Sequence, residues 1–553
     1  MTSRIFRLLP LIVFCLGVSP PAERGRGVVA SDHALASACG AEILDLGGNA
    51  ADAAVATALC AGVVQPAGSG LGGGGFAMHW DPAVGVPDIL DFREVAPAGA
   101  ARDMYLLPGG EVHATASREG GAAVAVLGES RGLALLLELY GALSPREVAG
   151  PAVRLAQRGF RAEAHLVDAI EHTTSAEVRA ELGDASYGEL IVRPDLARTL
   201  KRWASTGGED LHVGYAAARV AQHAQAAGGV LTAEDLAAYQ VRERAPIEVS
   251  YRGYRVLTMP PPSSGGVVIA QALAVLEGHD LASYGHNSAA YLHLLTETMK
   301  HAFADRAHHL GDPDFVDVPL GRLLSPERVE EIRAAFDPSG TLPPERYGAL
   351  ISPPQDAGTQ HISVIDGEGR AVVLTTTINT SFGSGLVAPG VGIVLNNEMD
   401  DFAAAPGVPN AYGLIGGEAN AIAPGKRPLS SMSPTLVLDA EGRVVLAVGA
   451  SGGSTIISAV LQAVLNVVDF GMDPQAAVAA ARVHHQWQPD RLYVEPEISP
   501  DTRALLEALG HELKVVRAFS AAQMVGAGAN GLRLGGSDPR KGGRPAGAFG
   551  ARD

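Results

Sequence analysis

Cysteine is scarce in this chain, three residues in 553, and that excludes a small scaffold stapled by disulfides. Positive charge is also in short supply: 42 Lys and Arg stand against 60 Asp and Glu, for a formal net charge of −18. A surface built for nucleic acid or an anionic membrane needs clustered cations, so the expected partner is a small solute and not a nucleic acid. The length would allow about three or four domains. No charge run, low-complexity linker or internal repeat divides it, so one compact unit with a large core, drawn from 47% hydrophobic residues, is the simpler reading. Long apolar runs are missing as well. The run 8–18 near the start falls short of the about 20 residues that span a bilayer. With Arg4 and Arg7 before it and Ser19-Pro20-Pro21-Ala22 after it, residues 1–23 read as an export signal, which sends the protein to the periplasm or the medium. Pro10 and the absence of a clean small-x-small site keep an uncleaved anchor as the alternative. Cys15 lies in this segment, and Phe14 before it argues against lipid attachment. Cys39 and Cys60 fall on two helices flanking the turn Gly47-Gly48, about 12 and 18 Å from it by helix rise. That offset of about one turn predicts two buried free thiols, and a disulfide only if the helices tilt or slide.

What is present centres on Gly358-Thr359-Gln360-His361-Ile362-Ser363-Val364. Residues 337–358, with Pro338, Pro343, Pro344, Pro353 and Pro354, read as irregular. After them Ile362 and Val364, a turn at Asp366-Gly367-Glu368-Gly369, and Ala371, Val373, Thr375 and Thr377 alternate as a hairpin of two half-buried strands. A threonine hydroxyl is a weak nucleophile unless a base is held beside it. Cleavage between Gly358 and Thr359 would supply one, because a free α-amine titrates near about 7.7 to 8.0 and could take the hydroxyl proton. Glycine at 358 tolerates the backbone in which Oγ reaches the preceding carbonyl. Taken alone, Gly-Thr before a strand is also an ordinary loop-to-strand junction.

Other motifs each carry a bland reading beside a chemical one. Residues 444–448 read as a buried strand, Gly449 to Ser454 as a tight turn and 455–468 as an apolar helix, so the amides of Gly452 and Gly453 either hold an oxyanion or merely meet the turn's backbone angles. A phosphate loop is excluded there, and at Gly70 to Gly75, because no Lys-Ser/Thr follows; the latter run lets backbones approach closely. Arg93, at the end of a strand, either grips a carboxylate through two parallel hydrogen bonds or pairs with Asp91 or Glu94. Ser430 and Ser431 follow Lys426-Arg427-Pro428 in a loop, and Glu398 and Asp401 follow a strand at 392–395; by default these are solvated hydroxyls and an acidic turn. The adjacent pairs His308-His309 and His484-His485 lack a third ligand at metal spacing, so no metal is expected. His361, two residues from Thr359 and on its strand face, either orients the site or packs in the core. Asn379-Thr380-Ser381 fits a glycosylation sequon.

Around Thr359 the sequence resembles the γ-glutamyltranspeptidases, a family of N-terminal-nucleophile hydrolases. The resemblance runs on through Thr375-Thr376-Thr377-Ile378-Asn379, Asn396-Asn397-Glu398-Met399-Asp400-Asp401-Phe402, Pro428-Leu429-Ser430-Ser431-Met432-Ser433-Pro434 and Gly449-Ala450-Ser451-Gly452-Gly453-Ser454. It extends back through Gly47-Gly48-Asn49-Ala50-Ala51-Asp52, Gly70-Leu71-Gly72-Gly73-Gly74-Gly75-Phe76, Asp91-Phe92-Arg93-Glu94, Met259-Pro260-Pro261-Pro262-Ser263-Ser264-Gly265-Gly266 and Gly311-Asp312-Pro313-Asp314-Phe315. It implies an α+β fold, a four-layered αββα sandwich built by both halves of a self-cleaved precursor. Residues 24–358 would form the large subunit and 359–553 the small one, the two remaining associated. It also implies two-step γ-glutamyl transfer with no cofactor, from glutathione or related amides to water, amino acids or dipeptides. Thr359 would be the nucleophile, Thr377 a hydrogen-bond partner of its amine, and Gly452 and Gly453 the oxyanion amides. Arg93, Ser430 and Ser431 would hold the substrate carboxylate, and Asn379, Glu398 and Asp401 its α-ammonium, an arrangement that leaves neither buried charge uncompensated. If Asn379 faces substrate, its sequon carries no sugar. The segment 406–414 matches a lid loop, with Tyr412 among the substrate-binding residues. Two departures stand out: Gln360 occupies a position usually held by Thr or Ala, and Glu398 one held by glutamine in some bacterial members. The alternatives are a cephalosporin or glutaryl acylase on the same fold, against which Glu398, Asp401 and Asn379 speak together, and a non-catalytic binding homologue, against which Thr359, Thr377 and the Gly452-Gly453 pair speak.

Overall fold

Strand alternation decides what the chain builds. Along Gln360–Ile365 and Ala371–Thr377 successive side chains point to opposite faces. Ile362, Val364, Val372 and Leu374 join one hydrophobic cluster with the helices Ala34–Asp45 and Ala50–Val64, whereas Ile365, Ala371 and Val373 join a second cluster. Both faces of the hairpin are therefore buried, and it must lie inside a layered structure. The computed structural model describes residues 23–348, 358–404, 417–518 and 520–549. Residues 1–22 of the expected export signal, with Cys15, the end of the irregular segment before Gly358 and the lid segment with Tyr412 lie outside the described residues, whereas Glu23, its last residue, begins a strand.

Two antiparallel sheets of seven strands form the centre. The nucleophile sheet runs, in spatial order, Ala546–Ala548, Gly27–Ser31, Gln360–Ile365, Ala371–Thr377, Gly74–Trp80, Pro87–Phe92 and Arg242–Arg244. The facing sheet runs Glu23–Gly25, Arg533–Ser537, Ala521–Ala527, Val444–Ser451, Thr435–Leu438, Tyr254–Thr258 and Ile247–Tyr251. The strands Gln360–Ile365 and Ala371–Thr377 pack on Val444–Ser451 across the interface. Ala34–Asp45 and Ala50–Val64 cover the outside of the nucleophile sheet, and Gly265–Leu276 and Thr455–Val468, with Ala289–His309 packed on the first, cover the other. The result is the expected αββα sandwich. Segments before and after Thr359 contribute to both sheets: Gly27–Ser31 is sandwiched between Ala546–Ala548 and Gln360–Ile365.

Two local expectations are corrected. Cys39 and Cys60 form a disulfide, with Cα atoms 6.7 Å apart, in place of free thiols. Helix rise gives the offset along the axes but not the lateral approach, and here small residues bring the axes together: a Cβ on Gly40 would fall on Thr57 Oγ and 3.0 Å from the Ala53 carbonyl. Residues 392–395 make no strand. They contribute a single bridge, Val387 to Val394, and Leu395 N donates to Leu386 O at 2.9 Å.

Candidate active site

Register brings the nucleophile and its neighbour together. Gln360 pairs with Thr376 and His361 with Thr375, so Thr359 and Thr377, one step further out, face each other on the side turned towards the second sheet. Their hydroxyls lie 3.2 Å apart. Thr377 Oγ also accepts from Asn379 N at 2.9 Å, which leaves its own proton directed at Thr359. Thr359 Oγ in turn donates to the carbonyl oxygen of Gly358. Gly358 holds φ 97°, and a Cβ there would collide with the Asn379 carbonyl, so no other residue fits this turn without strain.

Thr359 borders a narrow cleft lined also by Arg93, Thr377, Asn379, Glu398, Asp401, Ser430, Ser431, Met432, Gly453 and Ile456. The Arg93 guanidinium ends the strand Pro87–Phe92 and pairs with both Glu398 and Asp401. The acidic pair and the arginine thus touch each other instead of standing apart. The alternative partners are secondary, for Glu94 Oε2 is 3.7 Å from Nη1 and Asp91 accepts from the Arg93 amide at 3.0 Å. Burial works against the Arg93 charge, but Glu398, Asp401 and Glu94 outweigh it and hold its pKa above the ordinary value. Burial raises the carboxyl pKa of Glu398 and of Asp401, against the pull of Arg93, and pushes that of Glu94 up to about 7. Ser431 Oγ is buried without a hydrogen-bond partner among the described residues, and the carboxyls of Glu398 and Glu94 lie within hydrogen-bonding reach of each other. Ser430 Oγ is occupied, accepting from Met432 N at 3.1 Å. Asn379 is 1% exposed, which rules out a sugar on its sequon.

Gly452 and Gly453 follow the strand Val444–Ser451 and precede the helix Thr455–Val468. Their carbonyls accept from Thr455 N and Ile456 N, each at 3.2 Å, and their own amides donate to nothing among the described residues. Gly453 borders the Thr359 cleft and Gly452 borders a second cleft beside Gly358. The two amides therefore stand at the positive end of a helix, with Gly453 in the cleft that Thr359 borders. The run Gly72 to Gly75 does let backbones meet, since a Cβ at Gly73 or Gly75 would strike the carbonyl of Thr377 or Thr375.

His361 packs between the sheets, with Nδ1 2.8 Å from Thr375 Oγ and Nε2 3.0 Å from Ser363 Oγ. Burial drives its pKa down to about 3, so it is a neutral core histidine. Gln360 fits its unusual position because Gly68 leaves room for it and Gln65 O accepts from its Nε2 at 3.0 Å. His484 bonds Ser458 Oγ at 2.8 Å, and His485 lies 3.3 Å from Asp490. A cluster that spacing did not reveal, His293, Glu297 and His511, is joined by a 2.8 Å bond between the histidines, and Lys300 sits 3.5 Å from the glutamate.

Sequence reasoning passed over the residues that hold the site in shape. Asn396 Oδ1 accepts from Glu398 N and Ala125 N, both at 3.0 Å, and Asn397 O accepts from Asn379 Nδ2 at 3.0 Å. Their place beside Glu398 in one motif was the available signal. Lys541 gave none: its Nζ donates to Thr359 O at 2.6 Å across a separation of 182 residues.

A hydroxyl in contact with its own preceding carbonyl, at the head of a strand inside an αββα sandwich, defines a hydrolase of the N-terminal-nucleophile class. The sequence model of the gamma-glutamyltranspeptidase family matches residues 36–548, and the chain belongs to that family. The glutathione hydrolase proenzyme of Escherichia coli is 43% identical over 535 residues, covering 94% of this chain and 91% of its own length. That of a Pseudomonas strain is 42% identical, covering 96% and 93%. Among solved structures, cephalosporin acylase from Bacillus halodurans superposes with a TM-score of 0.85 at 28% identity, over 98% of this chain and 99% of that one. A chain of the Pseudomonas nitroreducens gamma-glutamyltranspeptidase complexed with L-DON gives 0.55 at 36% identity, over 57% of this chain and 95% of its own.

Proposed function

We propose that this chain is a proenzyme that cuts itself before Thr359 and then transfers γ-glutamyl groups from glutathione and related amides to water, amino acids or dipeptides. In the precursor, Thr359 Oγ adds to the Gly358 carbonyl carbon, the peptide C–N bond breaks, and water hydrolyses the resulting ester. The products are a Gly358 carboxylate and a Thr359 α-amine, and the large and small pieces stay together. In turnover the amine takes the Oγ proton as Oγ attacks the γ-carbonyl, and the Gly452 and Gly453 amides hold the tetrahedral oxyanion. The leaving amine recovers the proton, and water or an acceptor amine then releases the γ-glutamyl group from Thr359.

The observation that carries this reading is the ionic cluster at the far side of the Thr359 cleft. Arg93 and Ser431 suit an α-carboxylate, while Glu398 and Asp401, with Asn379, suit an α-ammonium; a zwitterionic head satisfies both and takes up the unpaired Ser431 hydroxyl. Export of the protein, with residues 1–23 as the signal, and a lid over the cleft carrying Tyr412 belong to the same proposal. The likeness to cephalosporin acylase favours a second reading, a glutaryl acylase. A glutaryl group has no α-ammonium and would leave the acidic pair short of a cation, at about 3 to 5 kcal/mol, a factor of about 150 to several thousand. Comparing kcat/KM for γ-glutamyl-p-nitroanilide and glutaryl-p-nitroanilide decides it. A strong γ-glutamyl preference that collapses in Asp401→Asn supports the proposal, and equal values or a glutaryl preference promote the acylase.

A further inference from the structure

The residue that grips the nucleophile's backbone comes from the far end of the chain. Lys541 Nζ donates to Thr359 O at 2.6 Å, to Ser451 Oγ at 3.0 Å and to Asp32 Oδ2 at 3.2 Å. Three acceptors around one ammonium are all that its three protons can serve. Asp32 is itself locked: its Oδ1 accepts from Gln523 Nε2 at 2.6 Å, and its Oδ2 from the amide of His361 at 3.3 Å. Asp32 therefore ties the lysine both to the strand that Thr359 heads and to the facing sheet. The segment carrying Lys541 is pinned on both sides. Arg540 before it bonds Glu495 and Asp538, and Gly543 after it lies so close to Ser31 O and the Asp32 backbone that a Cβ would not fit.

Thr359 needs such a clamp for a reason that arises only after cleavage. While Gly358 is attached, the chain on both sides fixes the residue. Once it has left, Thr359 is a chain terminus whose amine and hydroxyl can turn together about the remaining backbone bonds, and a misplacement of about 1 Å at a reacting group costs on the order of 100-fold. The carbonyl is the one polar backbone atom left to hold. We propose that Lys541, backed by Asp32 and Ser451, is a positioning residue that grips this carbonyl and keeps the α-amine of Thr359 beside its own Oγ. This rests on the N-terminal-nucleophile reading above. The cation has a second effect, since a positive charge near an amine favours the amine's neutral form, which is the base. The other groups facing Thr359 are Asp32, neutral His361 beneath it, Arg93 with Glu398 and Asp401 across the cleft, and, in the adjoining cleft, Asp168, His172, Arg540 and His165, the last driven to about 4 by burial and Lys541.

The test uses the full-length chain carrying Lys541→Met, Lys541→Arg or Asp32→Asn, with the cut fraction counted by mass spectrometry and kcat expressed per cut molecule. Lys541→Met should lower kcat about 10- to 100-fold with the KM for γ-glutamyl-p-nitroanilide within about twofold, because Lys541 does not line the Thr359 cleft. The acid limb of the kcat/KM profile should move to higher pH, since the amine loses a neighbouring cation and becomes easier to protonate. Lys541→Arg should restore most of the loss. If the methionine variant stays uncut, Asp32→Asn is read in its place, with the same fall in kcat at unchanged KM. Wild-type kcat and an unmoved acid limb in whichever variant is cut would overturn the proposal, as would a loss of kcat accompanied by an equal rise in KM. An inactive but cut wild type would instead overturn the γ-glutamyl function itself.

Discussion

At the scale of single residues, the proposed chemistry rests on two contacts, one at each end of the Thr359 cleft. Thr359 Oγ touches the Gly358 carbonyl, so Thr359→Ala should remain one uncut polypeptide by mass spectrometry and show no turnover; two pieces in that variant would remove the nucleophile assignment. Arg93 binds two carboxylates at once through separate nitrogens. Lysine keeps the charge but cannot fork, so Arg93→Lys should raise KM for γ-glutamyl-p-nitroanilide by an amount corresponding to about 1.5 to 3 kcal/mol. An unchanged KM would make Arg93 a structural ion-pair residue. These residues were legible in the sequence because several motifs resemble one family in order. Lys541 and Asp32 were not. Each is an ordinary charged residue in its own neighbourhood, and only the fold brings them to the two sides of Thr359.

Elements were legible where a period governed them and were misread where packing did. The hairpin of Gln360–Ile365 and Ala371–Thr377 and the helix Thr455–Val468 follow from alternation and from an apolar run after a glycine turn. Ile393, Val394 and Leu395 are buried but pair only through the isolated bridge at Val394, and burial alone cannot tell such a segment from a strand. Between the sheets the tolerances are tight: a Cβ on Gly449 of the strand Val444–Ser451 would fall on the His361 ring. Gly449→Ala should then cost about 1 to 3 kcal/mol by overpacking and slow self-cleavage, since the ring can move only by moving the strand that begins beside Thr359. An alanine variant of wild-type stability would mean that the sheets have slack there. The disulfide joins the helices Ala34–Asp45 and Ala50–Val64 across 21 residues. Replacing both cysteines by alanine should lower stability by about 3 kcal/mol, read from denaturant unfolding.

For the whole molecule, the αββα architecture came from the family resemblance, while composition gave only the expectation of a single large core. Neither foretold how many carboxyls that core would enclose. Glu129, buried beneath the nucleophile sheet, accepts from Thr376 Oγ, and burial pushes its pKa up to about 8. A carboxyl that binds its proton more tightly folded than unfolded stabilises the protein fully below its ordinary pKa, 4.5, and loses that contribution as pH rises through about 8. In the Thr359→Ala background, where unfolding is that of one polypeptide, stability should fall between about pH 4.5 and about pH 8. Glu129→Gln, which keeps the acceptor and removes the titration, should flatten that fall. An equal fall in both would mean that Glu129 is already ionised in the folded protein.

Because Gly27–Ser31 lies between two strands that come after Thr359, neither piece of the cut chain can close the sheet alone. Before cleavage the two halves find each other by tether, at an effective concentration on the order of millimolar; afterwards only diffusion can bring them back. A denatured cut enzyme should therefore regain activity with a yield that climbs with protein concentration, while the uncut Thr359→Ala chain should refold independently of it. Self-cleavage would then run time in one direction: the bond surrendered to free a catalytic amine is the same bond that allowed the molecule to fold a second time.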